Sequence, residues 1–325
     1  MKTALLFMTM AFFFLFSCKM EKSNEVKPVQ KNYKVTFSVS NFKQSISNAI
    51  NGKTQVNGLR VDSSTTNMES YATVLHLCIF DNQGKLIRKL EQVPGVSNYG
   101  IISDSLTAGT YTVVADAGQN QLKLAVGPQD DQHTDFHKQN LQLADGYLYS
   151  YSPKTSHNGA NNEGVWYDTF YKKFQLIVTN APIDQPITLE RVVGKLEVNF
   201  NSVIPQNAAR VDMLIRNEFF EYNIGSAQPV GTDSLTTSFV VPDSVKGTAN
   251  FKFSQIILNT TVPFNITLTA YDSSNKIIAA HAANNVSCQV NKRTILTGSF
   301  SNGSSGNGLS ISINSEWGVP TTIHY

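Results

Sequence analysis

Three groups of side chains in this sequence could do chemistry. Asp130, Asp131, Asp135, His133 and His137 crowd into one short stretch, with the two histidines four residues apart. On a helix that spacing places both imidazoles on one face, where a divalent cation could sit. A glutamate directly after His133 would complete the pattern of a zinc protease, but Thr134 stands there, so the stretch is taken as a solvated loop holding no metal. The second group is aromatic: Tyr147, Tyr149, Tyr151, Trp166, Tyr167 and Tyr171. Tyr147, Tyr149 and Trp166 form the candidate platform on which sugar rings would stack, although rings of this kind serve equally well as core packing. The third is Arg60, a lone cation in a polar stretch, where a trypsin-like protease could cut an exposed loop or where an ordinary solvated arginine could sit. Nucleophile elbows, Walker loops and dinucleotide fingerprints are missing, so no catalytic residue is named, no cofactor is expected, and the chain is expected not to be an enzyme.

The N-terminus carries a different chemistry. Met1-Lys2 precedes an apolar run from Ala4 to Phe16, and Leu15-Phe16-Ser17-Cys18 is followed at once by a charged tail. A basic start, a short apolar stretch and a small residue before the cut describe a signal peptide over residues 1–17. The run is shorter than the ~20 residues that a spanning helix needs. Its end resembles the lipobox of bacterial lipoproteins, in which the Cys18 thiol receives diacylglycerol and Cys18 becomes the new terminus. Each methylene of such a lipid contributes roughly 0.8 kcal/mol to membrane attachment, so several acyl chains hold a protein firmly. Residues 18–32, poor in apolar side chains, are then a flexible spacer.

The remaining chain must supply whatever positions these groups. A formal charge of +2 with 15% charged residues, and no basic tract, gives no surface for nucleic acid. Tyr33, Val35, Phe37 and Val39 alternate with polar residues, the period of a half-buried strand. Further strands are expected at residues 73–80, 85–90, 111–116, 166–178, 187–200 and at regular intervals to Asn314. Asp81-Asn82-Gln83-Gly84 is a hairpin turn, with Gly84 free to take positive φ, and only superficially the start of a calcium loop. Residues 117–165 are long, polar and irregular. Pro182 and Pro186 punctuate the chain, and the domain boundary is placed there: an N-terminal sandwich at 33–182 and a C-terminal one at 183–325. Cys78 and Cys288 lie in separate apolar runs, which favours two buried thiols over a disulfide.

Several stretches together resemble the fimbrillin superfamily of Bacteroidetes, most closely its lipoprotein subunits of the FimB/Mfa2 type. They are Cys18 in its lipobox, the opening strand Val35–Phe42, the hairpin Ile79–Leu86, Asp168-Thr-Phe-Tyr171, the junction Leu189-Glu-Arg-Val-Val-Gly-Lys195, Leu296-Thr-Gly298 and Ile313-Asn314-Ser-Glu-Trp317. The resemblance implies an all-β fold of two tandem transthyretin-like β-sandwich domains with Greek-key connections. It also implies an anchor or accessory subunit of a surface fimbria, tethered to the outer membrane through Cys18 and partnered by other pilin subunits. Stalk subunits of that family lose their first strand to an arginine-directed protease, and a neighbour's strand fills the slot. Arg60 lies where such a cut would release Tyr33–Ser40. A glycan-binding surface lipoprotein or adhesive tip subunit is the alternative.

Overall fold

Two features of the sequence, period-two burial and frequent turn residues, build this fold almost entirely from strands. The computed structural model describes residues 31–43, 72–119, 122–126, 142–155, 161–163, 165–301 and 309–314. The signal peptide, Cys18, Arg60 and the 130–137 cluster lie outside the described residues. Strands are numbered in chain order, and the fold is an all-β sandwich arrangement as expected.

The first sheet runs β3 (Leu86–Gln92), β2 (Val74–Phe80), β5 (Gly109–Gly118), β9 (Phe170–Val178), β10 (Ile183–Arg191), β1 (Asn32–Lys43), β4 (Ile101–Thr107). Only β1 and β10 are parallel, with Val35 opposite Ile183. Although β3 and β4 stand at opposite ends of this order, Arg88 Nε reaches Asp104 Oδ2 at 3.3 Å. Gln92 Nε2 donates to Ile101 O at 2.9 Å, and Gly100 N donates to Gln92 Oε1 at 2.8 Å. The sheet therefore curls on itself, and its edges are joined by side chains in place of a ladder. Inside lies a core that includes Val35, Phe37, Leu77, Val113 and Leu189.

A second core, with Val198, Phe200, Met213 and Leu268 among its members, is enclosed by two sheets packed face to face. One sheet is β14 (Phe251–Ile257), β11 (Gly194–Phe200), β17 (Arg293–Gly298), β18 (Leu309–Asn314). The other contains β16 (Ile277–Val286), β15 (Phe264–Asp272) and β12 (Ala208–Asn223), with β13 (Gln228–Val240) beside β12. Asn217, at φ 65°, marks a register shift between Ile215 and Glu218 that bends β12. Beyond the bend its last residues pair with β7 (Gly146–Thr155), which in turn pairs with β6 (Leu122–Val126) and β8 (Asn161–Glu163). The stretch read from the sequence as irregular thus contains three strands, attached to β12 at a distance in sequence that period reasoning does not reach.

A third core fills the space between these two, with Val74, Phe80, Leu148, Trp166, Tyr222 and Ile256. It explains why every residue of β2 is buried. Leu75, Leu77 and Ile79 face the first core, while Val74, Cys78 and Phe80 face the third. The sequence places residues 187–200 as one strand of the C-terminal sandwich. Instead Ile183–Arg191 is hydrogen-bonded to β1 and β9, because Ile187 and Leu189 bury into the first core. Val192 and Val193 then break the alternation by both being buried, and the crossing to β11 happens there. Cys78 and Cys288 are both free and buried.

The predicted turn at Asp81 and the hairpin tip at Asp272 have the same construction. At Asp81 the Oδ1 atom accepts from the amides of Gln83 and Lys85, each at 2.9 Å, and Gly84 takes φ 79°. Asp272 Oδ1 accepts from Ser274 and Lys276 in the same way at 2.9 Å, with Asn275 at φ 63°. The Asp81 carboxylate is thus committed to the turn.

Candidate functional site

The three candidate platform residues are not equivalent in the structure. Tyr147 and Tyr149 are half-buried on one face of β7, opposite Asn223 and Glu221 of β12. Burial, with the Glu221 charge beside it, pushes the Tyr149 hydroxyl up to about 12. Trp166 has no exposed surface: it packs in the third core, and its Nε1 donates to Phe219 O at 3.0 Å. Its indole therefore presents no face to a sugar, and it separates from the two tyrosines as a structural residue.

The third core also holds side chains that resemble a catalytic set in kind. His76 Nδ1 lies 2.7 Å from Asp116 Oδ1, and Cys78 shares the same face of β2. All three are at most 2% exposed. Burial, with the Asp116 carboxylate adding to it, pushes the Cys78 thiol far above its ordinary range, which leaves it unreactive. The pair instead ties β2 to β5. Among the described residues no group of three or more His, Cys, Asp or Glu side chains could hold a metal ion.

A buried ion pair lies at the crossing between cores. Arg191 Nε donates to Asp168 Oδ1 at 2.6 Å and Nη2 to Oδ2 at 2.8 Å, a two-pronged pairing. Arg191 Nη1 donates to Asn291 Oδ1, and the guanidinium carbon sits 5.1 Å from the Phe170 ring centre. Burial raises the Asp168 carboxyl and the Arg191 charge draws it back, with a net upward displacement. A Cβ on Gly194 would stand 2.9 Å from Gln289 O, so the chain passes here only as glycine. Two of the sequence stretches singled out above, Asp168–Tyr171 and Leu189–Lys195, thus meet through Asp168 and Arg191. Their spacing along the chain carried no signal that they touch.

Above this ion pair opens a cleft of about 390 Å³. Its floor is Tyr171, Arg191, Val192 and Tyr222, all buried. Tyr171 and Tyr222 meet edge to face with ring centres 5.1 Å apart, and Tyr171 OH donates to Ile224 O at 2.5 Å. Burial pushes both phenols well above their ordinary range, so they stay neutral. The lip carries Lys172, Lys173 and Glu190 from β9 and β10, and Gln228, Thr260, Thr261 and Val290 from the second half of the chain. Lys172 Nζ pairs with Glu190 Oε1 at 3.0 Å, while Lys173 Nζ donates to the Gly225 carbonyl. A cleft of this size and chemistry can bind a small polar molecule.

The profile of a family of unknown function, DUF6562, matches residues 28–323. No curated protein sequence matches the chain. Among solved structures, a candidate adhesin from Bacteroides ovatus aligns at TM-score 0.52 and 10% identity, over 90% of this chain and 94% of that one. A candidate polysaccharide-binding protein from Bacteroides thetaiotaomicron aligns at TM-score 0.52 and 14% identity, over 87% and 96%. The fimbrial anchor protein Mfa2 from Porphyromonas gingivalis aligns at TM-score 0.48 and 16% identity, over 88% and 98%. The first two share this chain's fold, an all-β sandwich arrangement.

Proposed function

We propose, from the premise that this chain belongs to the DUF6562 family, that it is a non-enzymatic structural subunit of a cell-surface fimbria. In this reading lipid on Cys18 tethers it to the outer membrane, and strand exchange joins it to other pilin subunits. The fold it shares with a candidate adhesin supports a surface role, and the seat of β1 carries the rest. β1 is the first strand of the fold, and it lies between β10 and β4. Its Val35, Phe37 and Val39 are each at most 6% exposed. Taking it away would leave the ladder groups of two strands unpaired and open an apolar slot, and a strand from a neighbouring subunit would satisfy both needs.

Arg60 falls between β1 and β2, so a cut there would part β1 from the rest of the chain. An anchor or accessory subunit keeps its lipid and its own β1; a stalk or tip subunit sheds both. On β18, Ile311 and Ile313 are 43% and 47% exposed, an apolar edge that a neighbouring subunit would cover. The second reading, a glycan-binding lipoprotein or adhesive tip, is favoured by Tyr147 and Tyr149 standing partly open on one face of β7.

Intact mass and N-terminal analysis of protein extracted from its native membrane tests the proposal. A lipidated Cys18 terminus supports the anchor, and a terminus at Val61 makes the protein an acceptor of strands. A chain that still begins at Met1 and carries no lipid would refute membrane tethering.

A further inference from the structure

We infer that the cleft above the Asp168–Arg191 pair is a binding site for a singly charged acidic sugar, such as the terminal uronic acid of a polysaccharide. This inference does not depend on strand exchange or on the lipid. The cleft volume of about 390 Å³ admits one or two sugar rings and is too small for an extended polymer.

Charge selects the class of ligand. Arg191 is saturated by Asp168 and Asn291, and Lys172 is held by Glu190. Lys173 has only the uncharged Gly225 carbonyl, and among the described residues no carboxylate lies within ion-pairing distance of it. One uncompensated cation on the lip suits one carboxylate. A phosphate or other multiply charged group would need a second cation and would meet repulsion from Glu190.

Hydrogen-bonding capacity points to a hydroxylated body. Among the described residues the side chains of Gln228, Thr260 and Thr261 have no hydrogen-bond partner in the protein, and all three line the cleft. Together they offer donors and acceptors along the cleft, where ring hydroxyls would exchange water for protein. Pro229 and Val290 add apolar contact for the C–H face of a sugar ring, and Val290 is 47% exposed. The floor is rigid: Tyr222 meets Tyr171 edge to face and the turn after it is pinned, because Ser226 N donates to Asn223 Oδ1 at 2.7 Å and Asn223 Nδ2 to Ala144 O at 2.7 Å. A preformed site of this kind loses little ordering entropy on binding.

The test is calorimetric titration of the full-length chain with aldotriouronic acid, a trisaccharide whose terminal uronic acid carries its single charge, and with uncharged xylotriose, at low and high salt. The charged trimer is expected to bind at least tenfold more tightly than the neutral one, and to weaken as salt rises. Lys173→Gln and Thr261→Ala, both at exposed positions, are each expected to reduce affinity at least tenfold with circular dichroism unchanged. The inference is overturned if neither trimer binds, if both bind equally, if inorganic phosphate binds as well as the acidic sugar, or if both variants retain full affinity.

Discussion

Glu218→Gln should abolish a specific pH dependence of stability. Glu218 sits at the bend of β12 with no exposed surface. Its Oε1 accepts from the amides of Leu258 at 2.7 Å and Asn259 at 3.1 Å, and among the described residues Oε2 has no partner. Burial outweighs these two hydrogen bonds and pushes the carboxyl from 4.5 up to about 8. Below about pH 4.5 the native and unfolded chains both hold the proton, and the native state suffers no penalty. Between there and about 8 the unfolded chain releases the proton while the native chain retains it, so stability falls as pH rises. Each pH unit in that window costs about 1.4 kcal/mol, which makes the loss about 3 kcal/mol by pH 7 and about 5 kcal/mol in all. Glutamine has the shape of the protonated acid and keeps the Oε1 acceptor, so the variant should match the parent near pH 5 and exceed it by about 3 kcal/mol at pH 7. Urea denaturation at pH 5, 6, 7 and 8 measures both, and other titrating groups cancel in the difference. Parallel pH profiles for parent and variant would refute the reasoning.

Three further outcomes follow from the packing. Asp168→Asn leaves Arg191 buried without its charge partner and should cost about 3–5 kcal/mol in urea denaturation, whereas Asp168→Leu combined with Arg191→Met should recover most of that loss. Gly194→Ala forces a Cβ to within 2.9 Å of the Gln289 carbonyl, and should lower stability by about 1–3 kcal/mol in the same assay. Cys78 and Cys288 are free and buried, and burial pushes the Cys288 thiol up to about 12, so neither should react with a thiol reagent until the protein is unfolded.

Much of the fold was legible because a strand with one wet face writes its period into the sequence. Val35, Phe37 and Val39 alternate with polar residues and are buried as that alternation requires. The Asp81 turn was legible because its chemistry is local: an aspartate, two amides and one glycine within five positions. The candidate site was much less legible. Trp166 resembled a sugar platform because its neighbours are tyrosines, yet its burial depends on β12 and β14, which follow far along the chain. Arg191 was visible only as part of a familiar stretch, because the carboxylate that explains it sits on a different segment.

The sequence by itself determined the strands whose two faces differ, such as Val35–Val39, the tight turn at Asp81, and that the N-terminus has the pattern of a lipid-bearing leader. Those properties depend on residues within a few positions of one another. Tertiary structure alone decided that β2 is buried on both faces, that β10 belongs to the first sheet, and that Lys173 and Thr261 face one cleft. Each of these results from one sheet covering another, and a covering layer leaves no periodic mark on the strand it covers.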